Sequence, residues 1–313
     1  AEKGCRLFVV EKEIPEEQLQ KLPEGTSVVR VDSAREALAH LSAARFGFPA
    51  EKMTCIGVTG TKGKTTTTYM IKAILEMYAI TKDEKYFSFA DHFIDCKVME
   101  DGSIEGYSVE ELNIDNVNAG KTLFELYDLT GKEKYRKAID LVYSQIQKMP
   151  RTKEGNFWHK NIYPNQVWLD GLYMCQPFYM EYETRYHNKA GYNDIVNQLT
   201  EMRSGKDAIW YVMALIDVLD HMSIEIFEHY KSLQEIFKKT IKCIPLGGDA
   251  KMQKVCMGYA ILKACNIGIL NPEKYLETGR TLIDGAIDEP FDQKDDVSMG
   301  IMMMAYAQFI RVM

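Results

Sequence analysis

The pattern of apolar and polar positions changes character near residue 75. Before it, short β-branched runs alternate with a helical pattern. Arg6–Val10, Ser27–Val31 and Met53–Val58 read as strands. Between the last two, Asp32 and Ser33 precede AREALAHLSAARFG, which places Ala, Leu and Phe at helical spacing behind capping-type residues. Strands alternating with helices predict a parallel sheet, so residues 1–75 read as the start of a small α/β segment.

After Glu76 strand-like runs almost vanish and one motif recurs: a turn, acidic residues, Lys, Tyr, then a helix. It appears at Thr81–Tyr86, Thr130–Tyr135 and Asn271–Tyr275, with a weaker copy at Asn188–Tyr192. Thr or Asn near the N-cap, acids at the positive end of the helix dipole, and a Tyr packing inward one turn later form a repeated helix start. Tyr86, Tyr135 and Tyr192 stand 49 and 57 residues apart, the length of one helical hairpin with its loops. Hairpins of this size stack as a solenoid or close into a ring; an irregular bundle is the alternative. The region 76–313 therefore reads as mainly α.

Composition narrows the function. At 46% hydrophobic and 27% charged, the chain can bury a core. A net charge of −7 argues against nucleic acid or an anionic membrane as partner. Apolar runs are too short for a bilayer span, and Ala1–Gly4 shows no signal-peptide core. Seven scattered cysteines without pairing or metal-ligand spacing suggest a reducing compartment, hence a cytoplasmic protein with no metal site.

Two segments carry chemistry. In the first, Ile56–Thr68, Gly60 and Gly63 let backbone N–H groups wrap a phosphate. Lys64 is placed for terminal phosphates and Thr65 for Mg²⁺. Val58 occupies the place of the first Gly in the general phosphate loop. The shorter Gly-Thr-x-Gly-Lys-Thr-Thr form resembles the Mur ligases, in particular the one that adds the third residue of the peptidoglycan stem. That resemblance covers residues 5–75 and implies ATP and Mg²⁺ as cofactors and a nucleotide as partner. It stops before the rest of the ligase's central sheet and its C-terminal domain, so the loop reads first as an orphan with no productive function, and ATP and Mg²⁺ are expected only if it is functional.

The second segment, Pro150–Met174, runs from a Gly-containing polar loop into a helix near Gln166. Trp158, His159 and Lys160 sit in the loop, and Trp168 and Asp170 near the helix start; Trp210 lies further on. Indole faces suit the C–H faces of sugars, and polar neighbours suit their hydroxyls and carboxylates. Residue types alone allow an equally good reading as buried core. The segment resembles the signature of glycoside hydrolase family 105, the unsaturated rhamnogalacturonyl hydrolases, and more distantly family 88, the unsaturated glucuronyl hydrolases. Asn113–Asn116 with Gly120–Leu123, and Trp210–Asp220, match further pieces in order over residues 76–313.

The resemblance implies an (α/α)6 barrel-like toroid. It also implies Asp170 as general acid, with a pKa raised by burial beside Trp168, and Asp115 as its assistant. Trp158, His159, Lys160, Trp168 and Trp210 would meet a small unsaturated oligosaccharide, and no cofactor is implied. The chain departs from the family at Ser204 and Lys206, where Trp and Arg are expected, near Ile244–Asp249, and in the first hairpin. A ring lacking parts of three hairpins is expected to be incomplete. The leading expectation is a hydrolase of this type; a Mur-type ligase and a non-catalytic helical scaffold are the alternatives.

Overall fold

Strands β1 (Leu7–Val10) and β2 (Ser27–Arg30) pair in parallel, with Leu7 opposite Ser27 and Val10 opposite Arg30. The short α1 (Glu16–Leu19) lies between them in the chain, and α2 (Ala34–Arg45) follows β2. Glu11 Oε1 accepts from Ala34 N at 2.7 Å, which satisfies one of the free donors at the start of α2. The computed structural model describes residues 7–45, 63–201, 208–244, 251–287 and 296–311. The run Met53–Val58 lies outside the described residues, as does Gly60. These first elements belong to one compact unit, Ala1–Gly57; the second is Val58–Met313.

The second unit is a succession of helical hairpins. In chain order they are α3 (Gly63–Thr81) with α4 (Glu84–Asp95), and α5 (Lys121–Thr130) with α6 (Glu133–Lys148). Next come α7 (Leu169–Tyr186) with α8 (Tyr192–Glu201), and α9 (Ala208–His221) with α10 (Phe227–Cys243). Then α11 (Lys251–Asn266) pairs with α12 (Pro272–Ile287), and α13 (Asp296–Arg311) ends the described chain. A 3₁₀ stretch, Ile114–Gly120, leads directly into α5. Helix α3 runs unbroken through residues 75 and 76, where the sequence changes character.

The two helices of a hairpin differ as their sequences require. In α6 the buried Tyr135, Ala138, Ile139, Val142 and Ile146 recur at helical spacing, and the opposite face is polar. In α9 every residue from Tyr211 to Leu219 is buried, and α11 is buried from Val255 to Cys265. A helix buried all round belongs to an inner layer. The inner helices pack in sequence: α3 on α5, the 3₁₀ stretch on α7, α7 on α9, α9 on α11, α11 on α13, and α13 back on α3. The inner ring is therefore closed. Among the described residues the outer layer comprises α4, α6, α8, α10 and α12.

The repeated turns have a common geometry. Thr81 Oγ1 donates to the Met77 carbonyl at 2.8 Å and accepts from Asp83 N at 3.2 Å. Thr130 does the same with Leu126 O at 2.6 Å and Lys132 N at 3.2 Å. Each threonine thus ends one helix and orders the turn into the next. The caps themselves are Asp83 and Lys132. Tyr135 and Tyr192 are buried, while Tyr86 and Tyr275 are partly covered.

At the end of the ring remote from the N-terminus of α7, a cavity of about 270 Å³ is lined by charged side chains, among them Lys72, Glu76, Glu125, Arg185, Lys263 and Arg311. Beside it, buried Asp217 accepts from Tyr259 Oη at 2.7 Å and Lys263 Nζ at 2.8 Å, and Lys263 also meets Asp220 at 2.8 Å. Among the described residues, no helix is long and apolar enough to cross a membrane.

Candidate active site

The loop before α7 is folded onto the chain by its own backbone. Thr152 N donates to Asn156 O at 2.9 Å, with Gly155 at φ +96° turning the chain. Trp158 N reaches Pro150 O at 2.9 Å, and His159 N reaches Gln166 O at 2.7 Å. The loop then zips against the segment preceding the 3₁₀ stretch: Ile114 N donates to His159 O at 3.0 Å and Asn161 N to Leu112 O at 3.1 Å. Arg151 adds a two-pronged bond to Asp194 on α8, at 2.7 Å to each oxygen.

This brings Asp115 and Asp170 to one imidazole. Asp115 enters the 3₁₀ stretch one residue after its N-terminus, where Asn113 Oδ1 accepts from its backbone N at 3.1 Å. Asp170 lies in the first turn of α7, whose N-cap is Trp168. His159 Nε2 stands 3.2 Å from Asp115 Oδ1, and its Nδ1 stands 3.9 Å from Asp170 Oδ1. Lys160 Nζ meets the other oxygen of Asp115 at 2.8 Å. Burial alone would raise the Asp115 carboxyl, but the hydrogen bonds from His159 and Lys160 outweigh it and hold the group below its ordinary value. Asp170 accepts from Gly171 N at 2.8 Å. Its side chain keeps 36% of its surface exposed, so its desolvation is only partial in the free protein.

His159 is the hinge of the arrangement and is 2% exposed. It offers a sugar almost no surface: Nε2 meets Asp115, while Nδ1 stays beyond hydrogen-bonding distance of Asp170. Its ring stacks on Trp168 with centroids 4.0 Å apart, and Tyr163 lies 5.6 Å from the same indole. Trp168 is 39% exposed and Tyr163 is similarly open, so these two rings present the aromatic surface. Lys160 is committed to Asp115. Trp158 is half-buried and lines a small cavity under His159. Trp210, near the start of α9, packs on Tyr173 at 5.7 Å, and Tyr173 packs on Tyr69 at 5.9 Å. Tyr69 is buried, and burial first, then the charges around it including Asp115 and Asp170, push its phenol well above the ordinary range. Trp210 thus joins a ring column behind the site.

Of the phosphate-loop residues, Gly63, Lys64 and Thr65 start helix α3, and the side chains of Lys64 and Thr65 lie outside the described residues. Ser204, Lys206 and the stretch 245–249 also lie outside them. Sequence reasoning passed over Tyr69, Tyr163, Gln176 and Gln198. Tyr163 had a signal, an aromatic beside Pro164 in a loop already rich in tryptophan. The glutamines had none, because their place follows from how the loop folds over α7 and α8.

The helical unit has counterparts among known proteins. The glycosyl hydrolase family 88 model matches residues 65–207. A family 105 glycoside hydrolase from Clostridium acetobutylicum superposes with a TM-score of 0.70 at 28% identity, covering 79% of this chain and 93% of that one. The helical unit resembles the glycoside hydrolases of families 88 and 105. Two more structures share the fold at 15% identity. One is a possible family 105 member from Salmonella enterica serovar Paratyphi A, with a TM-score of 0.62, covering 96% of this chain and 99% of that one. The other is a family 88 hydrolase from Bacteroides vulgatus, with a TM-score of 0.61, covering 90% and 100%. A separate likeness joins the chain to the UDP-N-acetylmuramoyl-L-alanyl-D-glutamate–2,6-diaminopimelate ligase of Clostridium tetani, 43% identical over 75 residues. That match spans 24% of this chain and 15% of the ligase.

Proposed function

We propose that the hydrolase unit removes a 4,5-unsaturated uronic acid from small pectin-derived oligosaccharides by hydrating its vinyl ether. Asp170 gives its proton to C4 of the C4=C5 bond, and the resulting cation at C5 takes the hydroxyl of a water molecule that loses a proton back to Asp170. The hemiketal so formed opens and releases the aglycone. A vinyl ether asks for one acid and one ionised neighbour, which differs from the carboxylate pair that flanks an ordinary glycosidic bond. The observation that carries this reading is the unequal setting of two carboxylates around His159. Asp115 is held ionised by His159 and Lys160, while the Asp170 side chain stays partly exposed. Trp168 and Tyr163 supply the aromatic surface for the sugar ring.

The reading asks for no metal or cofactor, and it places the protein in the cytoplasm on the strength of its unpaired cysteine pattern. The test follows the ultraviolet absorbance of the C4=C5 bond in an unsaturated galacturonyl-rhamnose disaccharide. A decline abolished by Asp170→Asn supports the reading; a flat trace from folded protein removes it. Nucleotide binding by Gly60, Gly63, Lys64 and Thr65 has support only from the sequence match to part of a ligase. Mg²⁺-dependent binding of ATP that Lys64→Ala abolishes is the measurement for it.

A further inference from the structure

Four residues around one small cavity each carry a buried polar atom with no partner: Trp158 Nε1, His159 Nδ1, Gln176 Oε1 and Gln198 Nε2. The cavity lies under the imidazole. Gly171 lines it, and a Cβ built on Gly171 would come within 2.8 Å of His159 Nδ1, so that nitrogen faces this space. The amide orientations are fixed by the backbone. Phe157 N can only donate, so the Gln198 atom it meets at 3.2 Å is the oxygen. The same oxygen accepts from Gln176 Nε2 at 3.2 Å. That leaves the Gln198 amide nitrogen and the Gln176 oxygen as the unpaired pair. Burying a polar group unpaired costs about 1–3 kcal/mol, so four in one place call for a shared partner. The space open to a water's centre there is about 10 Å³, which holds one molecule and no more.

We propose that a single buried water occupies this cavity and fixes His159 as its Nε2–H tautomer. It accepts from Trp158 Nε1 and Gln198 Nε2, and donates to Gln176 Oε1 and His159 Nδ1. Two donors and two acceptors are what one water satisfies. A neutral imidazole has one N–H; with Nδ1 accepting from the water, Nε2 carries the proton toward Asp115, 3.2 Å away. The Nδ1 lone pair, 3.9 Å from Asp170, is then occupied and does not compete for the proton of Asp170. Gln176 and Gln198 are positioning residues, acting on the carboxylates through His159. This last consequence rests on Asp170 being the general acid; the water and the tautomer do not.

The test uses the full chain labelled with nitrogen-15 histidine, the His159 signals being assigned by their loss in His159→Asn. The expected spectrum shows Nε2 protonated and Nδ1 as a hydrogen-bonded acceptor. In Gln176→Met and Gln198→Met the Nδ1 signal shifts. A high-resolution crystal structure of the unaltered chain is expected to show one water within hydrogen-bonding distance of all four atoms. An Nδ1–H tautomer in the unaltered chain, or a cavity without that water, overturns the proposal. Both readings come from the unaltered chain, so a variant that fails to fold does not obscure them. Neither measures turnover, so a water and tautomer found in an inactive protein would remove the proposed function and leave this inference intact.

Discussion

Gln308 on α13 donates to Glu76 on α3 at 2.5 Å, and the oxygen of the same side chain accepts from Asn266 on α11 at 2.9 Å. The last inner helix is thus tied to the first at the place where the ring closes. Burial raises the Glu76 carboxyl against the pull of Lys72, and burial together with the charge of Glu76 raises Glu125 from 4.5 to about 7.

An acid whose folded value is raised binds a proton that the unfolded chain has already lost. Stability therefore falls as pH rises through the window between 4.5 and about 7. Thermal unfolding should show a lower Tm at the upper end of that window than at the lower. Glu125→Gln should raise the Tm at the upper end and flatten the dependence. A variant less stable than the unaltered chain above the window would show that the sign is wrong.

Asp217 gives a second prediction. It is fully buried, and although burial raises its carboxyl, the charges of Lys263, Lys72 and Lys121 hold it well below its ordinary value. Lys263→Met removes the cation bonded to it and leaves a buried charge uncompensated. Such losses cost about 3–5 kcal/mol, and denaturant unfolding should report a fall of that order. The double variant Asp217→Leu with Lys263→Met should recover much of it, since replacing both members of a buried pair is often neutral. If the double variant is as unstable as the single one, packing rather than charge explains the loss.

How far the sequence foretold this molecule depends on the distance over which each feature is decided. The turns at Thr81 and Thr130 were legible because donor, acceptor and helix end all lie within a few residues. The inner character of α9 and α11 was harder to see, because an apolar stretch does not say what surrounds it. Ring closure was illegible, since it rests on Gln308 meeting Glu76 across 232 residues. In the site, Asp115, His159, Lys160, Trp168 and Asp170 do come together as the motif implies. Their division of labour was hidden: nothing local shows that His159 is covered by Trp168, or that Trp210 packs on Tyr173.

Gly171 tests how tightly His159 is seated. A Cβ there would lie 2.8 Å from His159 Nδ1 and 3.2 Å from Ile114 Cγ2. The imidazole is pinned by Trp168 on one face and by its backbone bonds, so it cannot move aside cheaply. Gly171→Ala should cost about 1–3 kcal/mol in stability, the range for overpacking. It should lower kcat more than it changes KM, because in the proposed reaction the displaced group positions Asp115 and does not hold the sugar. A variant with unaltered stability and turnover would mean that His159 has room the geometry does not suggest.

The two carboxylates should fail differently. Asp170→Asn keeps the shape of the site and removes the proton that the proposed reaction needs, so kcat should fall by about 10²–10⁴-fold, the usual worth of a general acid. Lys160→Met leaves that proton in place but takes away one of the two groups that hold Asp115 ionised, the Nζ at 2.8 Å. The folded value of Asp115 should then rise toward the ordinary carboxylate range. Because the proposed reaction needs Asp115 ionised, the acidic limb of the rate–pH profile should move to higher pH while the plateau changes less. Asp115→Asn should lose activity at every pH and show no such displacement. The decisive comparison is the pair of profiles for Lys160→Met and the unaltered chain. A uniformly lowered profile with its limb unmoved would assign Lys160 to substrate binding and remove it from the control of Asp115.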